Sequence, residues 1–204
     1  MQYLLPLEIG NYYHIYNRGV GKQLIFRNSE NYQYFLQKAK KYLHPIAEIF
    51  TYCLIPNHFH FFIKIKTIEE QNQHHFRNNL KGDFRELDAS KQFSHFFNAY
   101  AQAFNKSFER KGSLFERPFK RIKVENDEYI TRLIYYIHSN PIKHRITNNF
   151  YNYSYSSYSQ IIEGMNDIVN SDFVIDWFSG EKEFGLFHKE IHNLRIIEKY
   201  YLED

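Results

Sequence analysis

The sequence predicts an α+β fold in which helices pack on a four-stranded antiparallel sheet. Three observations predict it. Segments that alternate polar and apolar residues, such as His58 to Lys66, are interleaved with segments whose apolar residues recur every three or four positions, such as Gln92 to Arg110. Breaks at Asn17-Arg18-Gly19, Pro56-Asn57 and Gly112-Ser113 separate them. A length of 204 residues suits one compact domain with an appended tail rather than two full domains.

The elements follow in order. Tyr12-Tyr13-His14-Ile15-Tyr16 is rich in β-formers and reads as a first strand. From Glu30 to His44, Tyr34, Phe35, Lys38 and Tyr42 sit at helical spacing, and Pro45 is a stop. Ile46 to Ile55 is β-branched and aromatic, Pro56-Asn57 breaks it, and His58 to Lys66 alternates, so two adjacent antiparallel strands are expected. Thr67 to Lys91 is polar without a sustained period and reads as a mobile loop or short helix. Gln92 to Arg110 carries Phe93, Phe96, Phe97, Tyr100, Phe104 and Phe108 on one helical face, which packs in a core. Phe119 to Val124 alternates as a fourth strand. Asp127 can cap a last helix whose stripe of Ile130, Leu133, Ile134 and Ile137 runs until Asn140-Pro141 stops it. The order β-α-β-β-α-β plus a helix is the ferredoxin-like arrangement, which covers one sheet face with helices and leaves the other to a ligand or a further helix. After Arg145, the tyrosine-serine run from Tyr151 to Tyr158 and short helices reaching Trp177, Phe184, Phe187 and Tyr200 form a C-terminal helical extension. The division expected is therefore a main domain over 1–145 and an accessory extension over 146–204.

Composition narrows the function. The single cysteine, Cys53, excludes an internal disulfide framework and fits a reducing, cytoplasmic compartment. No stretch is apolar enough to cross a membrane and the N-terminus lacks the basic start of a secretory signal, so no membrane role is expected. The formal net charge of +3 conceals a division, because residues 163–204 carry ten acidic and four basic side chains and so leave about +9 on the rest. Lys106, Arg110, Lys111, Arg117, Lys120, Arg121 and Lys123 face only Glu109 and Glu116 in their segment. Such a run is either a solvated face or a seat for a polyanion.

Two further groups of residues can carry chemistry. His58 and His60 lie two apart on a strand, so both imidazoles share one face while Phe59, Phe61, Ile63 and Ile65 take the other. Two imidazoles on one face suit a divalent cation, although a bare His-x-His is more often incidental. Tyr129 starts the last helix one residue out of phase with its apolar stripe and shares a side with Arg132 and Tyr136, which turns it away from the core. A phenol with an ordinary pKa near ~10 attacks a phosphodiester when a nearby cation polarises the phosphate. With 18 tyrosines in the chain, burial or stacking is the default for any one of them.

Four segments together carry a resemblance. They are Pro56-Asn57-His58-Phe59-His60-Phe61-Phe62-Ile63, Gly112-Ser113-Leu114-Phe115-Glu116-Arg117-Pro118-Phe119-Lys120, Asp127-Glu128-Tyr129 and Tyr136-Ile137-His138-Ser139-Asn140-Pro141. In this order and spacing the chain resembles single-tyrosine HUH transposases of the insertion-sequence-200-like group, and especially the REP-associated tyrosine transposases. The resemblance implies that His58 and His60 hold magnesium or manganese (Mg2+ or Mn2+). It implies that Tyr129 is the nucleophile and that the last helix is catalytic. The reaction implied is cutting and rejoining of single-stranded DNA at hairpin-associated sites through a 5′-phosphotyrosine, without a nucleotide cofactor. Arg18 and the basic side chains from Lys106 to Lys123 become DNA contacts, and an exposed Phe115 would stack on unpaired bases. Where some relatives carry a polar third ligand, four residues after the tyrosine, this chain has Leu133. His138 and Asn140 are then candidates for metal or site support, beside DNA and water. The partners implied are single-stranded or hairpin DNA, and pairing of two chains as a homodimer stays open. The competing readings are a non-catalytic nucleic-acid-binding module and a nicking enzyme of the replication-initiator or relaxase kind.

Overall fold

The computed structural model describes residues 5–194, and the expected Tyr200 end of the extension lies outside them. Four strands form one sheet: β1 (Tyr12–Arg18), β2 (Ala47–Ile55), β3 (His58–Ile65) and β4 (Lys120–Val124). Their spatial order is β2-β3-β1-β4, with every neighbouring pair antiparallel. Between β1 and β2 runs α1 (Ser29–Leu43), and β3 is joined to β4 through α2 (Ile68–Arg77) and α3 (Ala89–Ser107). After β4 come α4 (Asp127–Lys143) and the short helices α5 (Tyr158–Ile162), α6 (Ser171–Trp177) and α7 (Glu181–Leu194). The fold is α+β, as the sequence pattern predicts.

The helices begin where side chains can satisfy their first backbone N–H groups. Asn28, Thr67, Asp88 and Asn126 accept from the backbone of Asn31, Glu70, Lys91 and Tyr129 respectively. Thr67 and Glu70 cap each other reciprocally, and this capping box gives the polar stretch after β3 a ten-residue helix where periodicity alone left a loop open. Asn126, not Asp127, caps α4. This helix also continues through Pro141 to Lys143, contrary to the expected stop, because a proline in the last turn removes one N–H bond with little helix left to disrupt.

One face of the sheet holds the core. Phe59 and Phe61 project from β3 against Phe35 of α1, and Phe97 of α3 packs on Phe59. The inward face of α1 is Tyr32, Phe35, Ala39 and Leu43, so the Tyr34-Lys38-Tyr42 spacing belongs to its outer side, where the Lys38 ammonium lies over the Tyr34 ring. Phe115 is buried against Phe59, Phe97 and Tyr100, which removes it from any stacking role on bases.

The opposite face is covered by α4, whose residues from Leu133 to Pro141 are all buried. A helix buried on both sides needs a second cover, and the residues after Arg145 supply it. Their backbone pairs with the outer edge of β2, where Leu54 donates to the Tyr155 carbonyl at 2.9 Å and Ser157 to the Tyr52 carbonyl at 3.0 Å. Ile161, Val174 and Phe184 are fully buried and join the same core.

Behind α4 a directed chain of hydrogen bonds seals this contact. The Phe184 carbonyl accepts from His188 Nδ1 at 2.8 Å, so His188 Nε2 accepts from His138 Nδ1 at 3.0 Å. His138 Nε2 then accepts from the Ser157 hydroxyl at 2.9 Å, which itself accepts from the Tyr52 N–H. Every link requires neutral imidazoles. Burial lowers the pKa of His188 to about 4 and holds His138 well below its ordinary value. Unfolded histidines take up protons near ~6.5 while these do not, so stability falls as pH drops from there toward 4. Each pH unit in that window removes up to about 1.4 kcal/mol per histidine. Denaturant titrations across pH 4–7 should show this loss, and His188→Gln should remove the part of it that belongs to His188.

Candidate active site

The side chains that face α4 from the sheet come from alternate residues of β1 and β3. Tyr16 stands opposite His60 and Arg18 opposite His58 in register, with Lys120 of β4 beyond Tyr16. Strand alternation therefore sends His58, His60, His14 and Tyr16 to one face. His14 Nε2 lies 2.9 Å from His60 Nδ1, and Tyr16 stacks on both rings with centroids 4.8 and 5.5 Å away.

The two histidines of β3 are oriented from behind. Asn57, in the two-residue turn between β2 and β3, places its side-chain oxygen 2.8 Å from His58 Nδ1. His60 Nδ1 is likewise engaged by His14. In both rings Nε2 is thus the nitrogen to present to a cation, the arrangement by which outer partners fix ligating imidazoles. Both rings are buried, at 7% and 1% exposure. Among the described residues no group of three or more His, Cys, Asp or Glu side chains is placed to hold a metal ion.

Helix α4 lies over this pair. Tyr136 meets His14 and His60 edge-on at 6.0 and 5.5 Å, and His144, just past the helix end, meets His58 at 4.5 Å. The Tyr136 side of the helix, which the sequence assigns to Tyr129 as well, accordingly faces the histidine face of the sheet. Tyr129 itself is half-buried, and its hydroxyl has no hydrogen-bond partner among the described residues. Burial, and then the Tyr16 phenol beside it, push its pKa up to about 12.

The other expected residues divide. Asn140 is buried, donates to the Tyr136 carbonyl, and leaves its side-chain oxygen without a hydrogen-bond partner among the described residues. Spaced four residues from both Tyr136 and His144, it lies on the helix side that covers the histidines. His138 is turned to the opposite side, where both ring nitrogens serve the chain to His188 and Ser157; it is not brought to His58 and His60. Leu133 is buried.

A cleft of about 580 Å3 opens beside His58, walled by Tyr16, Asn57, His144 and the cations Arg18, Lys22 and Lys120. Arg18 Nε pairs with Glu116 at 2.8 Å and remains 43% exposed. Of the basic segment, Lys106, Lys111, Arg117 and Lys120 are exposed. Arg110 donates to Asn105 and Gln23, and Lys123 is paired with Glu8. Arg121 is half-buried on the Phe119 ring. The sequence reading missed His14, Tyr16, Asn57, Tyr136 and His144. Alternation along Tyr12 to Tyr16 held the signal for the first two, but only the register of β1 on β3 brings them to His60.

No family model matches the sequence, and no curated protein matches it significantly. Among solved structures, a REP-associated tyrosine transposase bound to a REP hairpin matches with a TM-score of 0.56 over 84% of this chain and 90% of that one, at 15% identity. The chain shares the fold of that transposase. At this identity the likeness is one of fold, and the four-stranded sheet with its helices is what the two proteins have in common. Among the described residues no helix is long and apolar enough to cross a membrane.

One glycine links the end of β1 to the turn before His58. The Gly19 N–H donates to the Asn57 carbonyl at 2.9 Å, tying the end of β1 to the turn before His58. A Cβ at position 19 would collide with the Gln23 backbone carbonyl. Gly19→Ala should therefore cost roughly 1–3 kcal/mol as an overpacked site, read by urea unfolding.

Proposed function

We propose that the protein is a metal-dependent tyrosine HUH transposase, a single-strand DNA endonuclease and strand transferase that cuts and rejoins DNA at hairpin-associated sites. In this reading the ferredoxin-like frame of residues 1–145 is the catalytic unit and residues 146–204 are an accessory extension. One observation carries the reading: Tyr16, whose phenol interacts electrostatically with that of Tyr129, stacks on His60 and lines a cleft that also holds His58 and three cations. The likeness to a transposase bound to a hairpin supports the choice of DNA over other polyanions.

The donor set fits a divalent cation. His58 and His60 would hold it through Nε2, the Asn140 side-chain oxygen is a third candidate, and water or a phosphate oxygen fills what remains. When bound, magnesium or manganese supplies Lewis-acid polarisation of the scissile phosphodiester. The chain's own residues do the rest. Arg18, Lys22 and Lys120 hold flanking phosphates, charge contacts that orient the strand without reading its sequence. The Tyr129 oxygen attacks phosphorus, the bond from phosphorus to the 3′ oxygen breaks, the phenol proton leaves to solvent and the departing oxygen takes one up. The products are a 5′-phosphotyrosine and a free 3′-hydroxyl, and reversal with another 3′ end rejoins DNA. A phenol is protonated at neutral pH at its ordinary pKa and burial raises that pKa further, so no phenolate forms before a substrate arrives.

The test is covalent capture. Protein incubated with Mn2+ and a labelled library of single-stranded hairpins with randomised flanks should yield an adduct that survives denaturation. Tyr129→Phe should abolish it; an adduct of equal yield in that variant would overturn the assignment.

A further inference from the structure

A second cleft, of about 660 Å3, lies on the other face of the sheet, between α3 and the loop that leads into β4. Its floor is a stripe of neutral polar side chains on α3, Ser94, Asn98 and Gln102, all exposed and spaced four apart. Its wall carries Arg117, Phe119 and Arg121. The Arg121 guanidinium sits 4.1 Å from the centroid of the Phe119 ring, half-buried, and its Nε is sealed from solvent with no hydrogen-bond partner among the described residues. Among those residues no ion pair involves Arg117 or Arg121. A half-buried guanidinium that lines a cleft favours an anion there, because a charged acceptor offsets its desolvation.

The two clefts adjoin. Asn17 and Glu116 line both, and adjacent residues of β4 serve both, since Lys120 faces the histidine cleft and Arg121 the α3 cleft. Because β4 is an edge strand, a chain can pass from one face to the other around it without crossing the protein. Cations for phosphates, amides for base edges and a guanidinium-covered ring form the combination that single-stranded nucleic acid requires.

We propose that the α3 cleft is a second nucleic-acid subsite, which takes the unpaired strand flanking the scissile phosphate after it has wrapped the β4 edge. Phosphates meet Arg117 and Arg121, and bases meet Asn98 and Gln102, whose amides can both donate and accept. This rests on the reading that the histidine cleft binds DNA, and the experiment separates the two.

Fluorescence anisotropy compares a fluorescein-labelled DNA hairpin that is blunt with the same hairpin carrying an eight-nucleotide dT tail, on wild type and on Asn98→Glu/Gln102→Glu. The tail should tighten binding to wild type about tenfold, and the gain should fall below twofold in the double variant. Both substitutions are at exposed helical positions, and Arg117→Gln repeats the comparison through another exposed side chain. An equal gain in wild type and variants, or no gain in wild type, overturns the subsite while leaving hairpin binding intact. Failure of wild type to bind either probe overturns the DNA reading along with it.

Discussion

The two-residue alternation of β3 is the constraint on which the structure turns. One set of its side chains, Phe59, Phe61, Ile63 and Ile65, is wholly buried beneath α1 and α3. A register slip by one residue would exchange the faces, sending phenylalanines to the cleft and imidazoles into the aromatic core. The energetic demand of burying those rings therefore fixes where His58 and His60 point. The placing of the histidines on one face is a by-product of packing at the other, which is why they need no flexible loop to bring them together.

Helix α4 is the second device, and its two sides do different things. The side bearing Tyr129, Tyr136 and Asn140 closes over the histidines. The other side, through His138, is fastened to His188 and Ser157 by a hydrogen-bond chain whose every donor has an acceptor. A buried network satisfied throughout holds a helix in one position, a rigidity that the proposed nucleophile on α4 would need. The extension after Arg145 thus acts on the site from behind, by positioning α4, and its strand-edge bonds to Tyr52 and Leu54 anchor it to the sheet. On the far side of the sheet, β4 is an edge strand whose Lys120, Arg121 and Lys123 disfavour pairing with another strand.

Much of this was legible in the sequence because period and punctuation are local. The four strands, α3 with its aromatic face, and the split of β3 into Phe and His faces all follow from spacing within ten to twenty residues. What the sequence concealed depended on partners far along the chain. Tyr34, Lys38 and Tyr42 have the spacing of a buried face, yet Tyr32, Phe35 and Ala39 won because Phe59 and Phe61 lie opposite them. His138 shares a segment with Asn140, but the third-ligand question could not be divided between them until His188, fifty residues on, claimed one of the two. Arg110 and Lys123 read as part of a basic run and turned out to be tied to Gln23 and Glu8. His14 escaped notice because only cross-strand register makes it a neighbour of His60.

Whether His58, His60 and Tyr129 make one site is decided by a crystal of the Tyr129→Phe variant grown with Mn2+ and a single-stranded hairpin, measured at the manganese absorption edge. An anomalous peak is expected in coordination with Nε2 of both histidines, with a phosphate oxygen completing the shell and the substituted phenyl ring of α4 pointing at that phosphate. Manganese bound elsewhere, or a phosphate held away from α4, would contradict a shared site.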